Sequence, residues 1–418
     1  MKKTLLFIIL CTHTFYHLQA GGFKIGLQGQ KQLGMGHTGV GFAQDAATIY
    51  FNPAGMSFVS SQLNGSLFAL VPNTSFLDKN TNTITNSVAQ VFTPFSVFGQ
   101  IKLSSRINFG IGAYTPFGSG VLYPSDWTGR YILNKIELQT VFIQPTLSLR
   151  LSKHLSLGAG FIYSVGHVEI NKDLPIQSNA TSYTGNANLY GKAKGVGMNA
   201  GLYIKTDKIN LGVAYHSKVN MKVDKGQATF TNIPTALASS FPANNTFTST
   251  LALPSELAIG TSFHLSRRTV MALDFNYTYW KSYDSLGFDY AENTSTLTDA
   301  KSARLYKNAY AFRAGLQYNA SKKTIFRVGA FYDKTPIKDG YVSPELPDND
   351  KIGVSAGLTF NVWERCHIDF SFLYENVKSR TQKNIESGLD GTFKTKAIAP
   401  GVGVSYLLQK RKIKIKRY

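Results

Sequence analysis

Gly34-Met35-Gly36-His37-Thr38-Gly39 has the spacing of a dinucleotide-binding turn, whose glycines let backbone approach a pyrophosphate at a helix N-terminus. That chemistry needs an apolar strand ahead of the first glycine and a βαβ unit around the turn, and the sequence offers neither. The glycines read instead as backbone that turns sharply where side chains have no room. Imidazoles could supply a general base, yet none of His37, His154, His167, His216, His264 and His367 stands in a recognisable nucleophile context. Asn52-Pro53-Ala54, following Asp45-Ala46-Ala47, is a turn or short helix start, since asparagine caps and proline suits a first helical turn. No metal and no cofactor is expected, and the chain is not expected to be an enzyme.

The elements that must hold these residues begin with an export signal. Lys2 and Lys3, an apolar stretch from Leu5 to Leu10, and Leu18-Gln19-Ala20 as a small-residue exit make residues 1–20 a secretory signal peptide, with the mature chain starting at Gly21. Cys11 follows a bulky Leu10, which argues against lipidation, and Cys366 then stands alone, so no disulfide framework is available. Glycine (37), tyrosine (22) and phenylalanine (28) are abundant and only 16% of residues are charged, which suits many strands rich in glycine and aromatics. Beyond Gly21 no run approaches the roughly 18 apolar residues of a spanning helix, so a bilayer could be crossed only by closed strands. The net charge of +20 would fit nucleic acid, but an exported chain rarely meets it, and no nucleic-acid partner is expected. Six of those charges lie between Lys410 and Tyr418, in a basic periplasmic tail (residues 409–418) suited to anionic lipid head groups.

Periodicity separates a membrane barrel from a soluble sandwich, because a transmembrane strand alternates lipid-facing apolar residues with small or polar lumen residues. From Leu155, the residues Leu155, Leu157, Ala159, Phe161, Tyr163 and Val165 share one face, while Ser156, Gly158, Gly160, Ser164 and Gly166 share the other. Met271, Leu273, Phe275 and Tyr277 oppose Ala272, Asp274, Asn276 and Thr278 in the same way. Such runs fall at 62–72, 88–102, 107–115, 136–150, 154–170, 187–206, 209–231, 247–265, 268–282, 303–319, 323–334, 350–361, 364–380 and 392–408. Tight turns at Ser104-Ser105, Ser152-Lys153, Asp207-Lys208, Ser266-Arg267, Ser321-Lys322 and Val362-Trp363 alternate with long polar loops. The pattern predicts an all-β fold: a fourteen-stranded antiparallel transmembrane β-barrel spanning residues 61–408 in a Gram-negative-type outer membrane, with both termini on the periplasmic side. Residues 21–60 precede it as an N-terminal hatch, a plug for a lumen too wide for side chains alone to fill.

Gly21-Gly22-Phe23, the run Gly34 to Gly41, Asp45-Ala46 and Asn52-Pro53-Ala54 together resemble the N-terminal hatch of FadL/TodX-type outer membrane transporters. The likeness continues in family order through Thr115-Pro116-Phe117-Gly118, Gly129-Arg130-Tyr131, Leu253-Pro254-Ser255 with Trp280, Tyr332-Asp333-Lys334-Thr335-Pro336 and Leu346-Pro347-Asp348. It covers essentially all of the mature chain. The resemblance implies passive uptake of hydrophobic compounds, above all long-chain fatty acids, by binding in the barrel and sideways exit at a kinked third strand. Phe117 and Gly118 match the kink, and Asn52, Pro53 and Ala54 match the hatch motif beside it.

A fatty acid needs an apolar tunnel and one or two cations for its carboxylate. By the same resemblance Phe23 matches a ligand-touching position, Lys172 falls near one basic ligand position, and Lys301, Arg304 and Lys307 surround a second. The expected partners are this hydrophobic ligand, outer membrane lipid and lipopolysaccharide, and the barrel assembly machinery, with the protein a monomer. Aromatic hydrocarbons as cargo, a surface receptor or open porin, and a lipid-modifying barrel enzyme are the alternatives. The chain departs from the family at its end, where it runs on past Leu408 into the basic tail instead of stopping at an aromatic strand end.

Overall fold

The computed structural model describes residues 21–178 and 181–408; the expected signal peptide and basic tail lie outside the described residues. Fourteen antiparallel strands form one sheet. They are β1 (Gln62–Phe68, continued as Val71–Asp78), β2 (Ile84–Asn86 and Phe95–Lys102), β3 (Ile107–Tyr114 and Gly118–Leu122), β4 (Lys135–Arg150), β5 (Leu155–Ser178) and β6 (Thr181–Lys205). Next come β7 (Ile209–His216 and Val219–Thr231), β8 (Asn245–Leu253 and Glu256–His264), β9 (Thr269–Thr278 and Ser285–Tyr290) and β10 (Ala300–Ala303 and Ala309–Asn319). The set ends with β11 (Thr324–Asp333), β12 (Lys351–Asn361), β13 (Cys366–Val377 and Arg380–Lys383) and β14 (Asp390–Leu407). Strand β14 returns to β1, with Leu407 opposite Gln62 through Gly401 opposite Phe68, so the sheet closes on itself.

Alternation sorts the two faces as the sequence predicts. On β5, Leu157 and Phe161 point outward and are exposed, while Ser156 and Ser164 are buried. On β9, Asp274, Asn276 and Thr278 are buried inside, and on β14 Ile398, Val402, Val404 and Tyr406 face out. Such an apolar outer belt around a polar interior is stable only with hydrocarbon against it. The described residues hold no helix long and apolar enough to cross a membrane.

Several boundaries differ from the sequence reading. Residues 87–94 are irregular, keeping only an isolated bridge between Phe92 and Leu70, and the strand expected over 88–102 is regular only from Phe95. The third strand, expected to end at 115, resumes after Phe117 and runs to Leu122. Residues Trp280–Ser282 form a single 3-10 turn rather than a strand end. Strands β5 and β6 are 24 and 25 residues long, against about 9–11 needed to cross hydrocarbon, so this hairpin projects far beyond the bilayer. Because strands run on outside the membrane, connections expected to be long shrink to residues 79–83 and 384–389.

Residues 21–61 lie inside the barrel as two one-turn helices (Gln30–Leu33, Thr48–Phe51) and a 3-10 stretch (Pro53–Phe58), almost wholly buried. Wall glycines make the room. A Cβ on Gly329 of β11 would sit 1.9 Å from the Gly36 nitrogen, and one on Gly158 of β5 would sit 2.4 Å from the Pro53 carbonyl carbon. Gly36 and His37 have φ of 68° and 63°, so the Gly34 to Gly41 run is a left-handed turn pressed against the wall and not a nucleotide loop. Polar wall groups satisfy the enclosed backbone: Gly39 and Val40 donate to the Asp274 carboxylate at 2.7 and 2.9 Å, and the Ser262 hydroxyl donates to the Gly41 carbonyl at 2.9 Å.

Candidate functional site: an apolar cavity beside a broken strand

Toward the long-loop end the interior changes character. Ile136 and Leu138 of β4, Val168 and Ile170 of β5, and Met221 and Val223 of β7 face Leu286, Phe288 and Tyr306 from the loop side of β9 and β10, around an apolar cavity. Small-molecule sites are likewise mostly apolar with a few placed polar groups. The polar feature here is Arg304, whose guanidinium is ion-paired with Glu345. Its Nη1 donates to Ser302 Oγ at 2.9 Å and its Nε donates to the Tyr283 hydroxyl at 3.4 Å. Burial opposes a charge on Arg304, yet Glu345 beside it holds the guanidinium pKa above its ordinary value.

Phe23 forms one wall of this cavity. Its ring meets Trp280 edge-on at 4.8 Å, Tyr283 at 5.6 Å and Phe117 at 6.0 Å. The backbone around it repairs the break in β3: Ile25 donates to the Pro116 carbonyl at 2.8 Å and Gly118 donates to the Phe23 carbonyl at 3.0 Å, with Lys24 opposite Phe117. A Cβ on Gly118 would meet Ile25 Cδ1 at 2.8 Å and the Leu138 carbonyl oxygen at 3.1 Å, so the two segments pack closely here. Strand β2 gives this stretch of β3 little support. The rungs between them run out at Thr115 N–H to Phe95 (3.2 Å) and resume at Val88 N–H to Leu122 (2.8 Å), with none between among the described residues. Phe92 lies across the gap, where a Cβ on Gly120 would fall 2.1 Å from its ring.

A second space of about 1560 Å³ reaches from the N-terminal segment to this gap and touches Val91, Phe92, Phe117, Gly118 and Gly120. Phe23, Ser119, Leu138, Gln139, Glu345 and Leu346 border both spaces and form the partition. The partition is anchored at two points. Gly22 donates to Asp348 Oδ2 at 2.9 Å, and burial pushes that carboxyl above its usual pKa range. Lys24 is ion-paired with buried Glu256, which also accepts from Asn276 at 3.1 Å and Thr278 at 3.0 Å.

Of the residues singled out from the sequence, Phe23 and Arg304 border the cavity, and Phe117 and Gly118 stand at the break. Lys172 is half-buried on β5 but does not line the cavity, and Lys301 and Lys307 are exposed. Asn52, Pro53 and Ala54 are not beside the kink. Ala54 accepts from Ser148 of β4 at 3.2 Å, whereas the kink accepts at the Phe117 carbonyl from Thr140, eight residues away on the same strand, a span of about 27 Å at 3.4 Å per residue. It is the preceding helical turn that reaches the kink region, through Tyr50 packed against Tyr114 at 5.1 Å. Sequence reasoning missed Glu345, Tyr283 and Tyr306; the one signal was that Glu345 directly precedes Leu346-Pro347-Asp348.

A closed antiparallel barrel with its N-terminal segment inside it and an apolar interior cavity points to a class: outer membrane transporters of hydrophobic compounds. The family model described as outer membrane protein transport protein (OMPP1/FadL/TodX) matches residues 12–408, and the chain belongs to that family. It is 24% identical to a putative outer membrane protein of Neisseria meningitidis serogroup B, over 93% of this chain and 92% of that protein. It is also 24% identical to a long-chain fatty acid transport protein of Escherichia coli O6:H1, over 85% and 86%. Its fold matches that of a Pseudomonas aeruginosa FadL homologue (TM-score 0.83, 18% identity, 93% of this chain and 100% of that one). The toluene transporter TbuX of Ralstonia pickettii also shares it (TM-score 0.69, 16% identity, 94% and 99%). The protein is thus an outer membrane barrel for hydrophobic cargo, in a family of transport channels.

Proposed function

We propose that this protein takes up long-chain fatty acids passively, binding them in the cavity above Phe23 and releasing them sideways through the gap between β2 and β3. The observation that carries this is the continuity of cavity, partition and gap, with only the N-terminal segment between them. Residues 21–60 act as the hatch, closing the lumen so that the sideways route is the only one, and the tight turns and both termini face the periplasm. Cargo bound against Phe23 favours conformations in which residues 22–25 leave the break in β3, joining the two spaces. Phe23 and Arg304 are the ligand contacts, with Arg304 opposite the carboxylate.

Tryptophan-quench titration of the purified protein tests the cargo: saturable oleate binding is expected, and none at all overturns the reading. Deleting Gly118 tests the route, with oleate uptake abolished while the barrel still assembles; uptake at the wild-type rate would remove the sideways exit. A second reading, uptake of neutral aromatic hydrocarbons, is favoured by one observation: Glu345 already neutralises Arg304.

A further inference from the structure

Among the described residues Arg304 is the only lysine or arginine bordering the cavity, and it is not free to meet a ligand. Arg304 is only 10% exposed at its side chain and paired with Glu345, which borders both the cavity and the second space. Lys172, the other cation within electrostatic reach of Glu345, does not line the cavity. We propose that Glu345 is a resident counter-ion that occupies the carboxylate position on Arg304 and sets the head-group selectivity of the cavity. The resting cavity is then neutral, suited to cargo with an uncharged head. A fatty acid anion binds only by displacing Glu345, since two carboxylates against one guanidinium leave a buried charge without a partner.

The placement of Glu345 extends this beyond affinity. Its backbone carbonyl accepts from Ser119 Oγ at 3.1 Å, and the Pro344 carbonyl accepts from the Tyr123 hydroxyl at 3.2 Å, so the same loop braces β3 above the break. Three residues on, Asp348 holds the Gly22 N–H. Displacing Glu345 therefore acts on the loop that fixes both sides of the partition, and a charged head group reports its arrival to the exit. This rests on the cavity being the cargo site.

The test compares oleate with oleyl alcohol, equal in chain and differing in charge, on the wild type and on Glu345→Gln. Oleate is expected to tighten about tenfold in Glu345→Gln, while oleyl alcohol moves less than twofold and shows that the cavity is intact. Arg304→Gln added to Glu345→Gln should abolish the gain. Oleate affinity that is unchanged or weaker in Glu345→Gln, or a parallel shift of both ligands, overturns the proposal. Failure of the cargo reading looks different, because neither ligand then binds the wild type or the variant.

A separate observation carries a second inference, at the opposite end. The six tight turns hold eight lysines and arginines against Asp207 and Glu364, with Arg106, Lys153, Lys208, Arg268, Lys323 and Arg365 placing a cation in every one. Leu103, Leu151, Leu265 and Trp363 are exposed in the same turns, so cations and apolar side chains alternate around one rim at the edge of the lipid-facing belt. A solvated rim has no use for exposed leucine and tryptophan, whereas a head-group layer accommodates both. We infer that this rim binds the anionic phospholipid head groups of the leaflet on the tight-turn side. In vesicles with 30% phosphatidylglycerol the reconstituted wild type should resist urea better than in pure phosphatidylcholine, an advantage lost in 0.5 M salt. Replacing Arg267, Arg268, Lys322 and Lys323 together with glutamine should remove most of it. An equal advantage in wild type and variant, or none in the wild type, overturns the inference.

Discussion

Above and below the break in β3, the same barrel has two different interiors. Toward the long loops, inward positions carry Leu138, Val168, Met221, Val223 and Phe288, and the side chains stop short of filling the space. Toward the tight turns, inward positions carry Ser148, Ser262, Asp274, Arg327 and Asp369, and each meets the enclosed N-terminal segment or a neighbouring wall group. The alternation demanded by lipid fixes only the outer face; the inner one is free to be dry or polar. The lower interior encloses irregular backbone, whose N–H and C=O groups need partners, so it is polar and close-fitting. The upper one encloses no such backbone, and its inward side chains are apolar and leave space between them.

Added bulk is therefore disastrous below and mild above. The largest effect is expected from Gly329→Val, whose side chain has nowhere to go but the position of Gly36. The N-terminal segment should be expelled, giving steady conductance in planar bilayers where the wild type gives little, and cleavage by trypsin at Lys31, which is buried in the native protein. Next comes Asn52→Ala. Its amide donates to the carbonyls of Val40 at 3.1 Å and Leu202 at 3.0 Å and its oxygen accepts from Ala54 at 3.1 Å, pinning the segment to itself and to β6. Leaving three buried groups unpaired should lower stability by about 3 kcal/mol, read as a shift in the urea midpoint of the lipid-reconstituted protein.

The outer half of this design is plainly written in the sequence. Period-2 alternation from Leu155 and from Met271 gives strand, face and membrane together, and six paired-strand turns give the order. The wall glycines were visible as a composition, but which of them faces the enclosed N-terminal segment depends on contacts such as Gly329 with Gly36, nearly three hundred residues apart, and no local pattern carries that. The cavity was legible only in part for the same reason. Phe23 stood out because it matches a ligand-touching position of the resembled family beside the expected mature N-terminus, whereas Glu345 lies in a loop without period, and its meaning comes from Arg304 on a different hairpin. The sequence reading also joined Asn52-Pro53-Ala54 to the kink, although Ser148 and Thr140 place them at different levels of β4.

In the upper half, loss of a side chain should change ligand kinetics and leave the fold alone. Phe23→Ala removes three aromatic contacts that close the cavity, each worth about 0.5–1.5 kcal/mol beyond area. Part of that is recovered by repacking of Trp280 and Tyr283, so we expect bound oleate to dissociate about tenfold faster in stopped-flow fluorescence. The urea midpoint should fall by less than that of Asn52→Ala. A midpoint shift as large as that of Asn52→Ala would mean that Phe23 belongs to the lower, structural interior.

The smallest effect separates the cations near the cavity from the one that borders it. Lys301 and Lys307 are exposed and line neither space, so water and salt screen them from anything bound inside. Lys301→Gln combined with Lys307→Gln should change oleate affinity less than twofold at physiological salt. Arg304→Gln, three residues from either lysine, should change it more than tenfold, because its partner Glu345 is then left in the cavity wall without a counter-ion. A double lysine variant as weak as Arg304→Gln would move the head-group position out of the cavity and into the loops, and the boundary between the slack interior and solvent would have to be redrawn there.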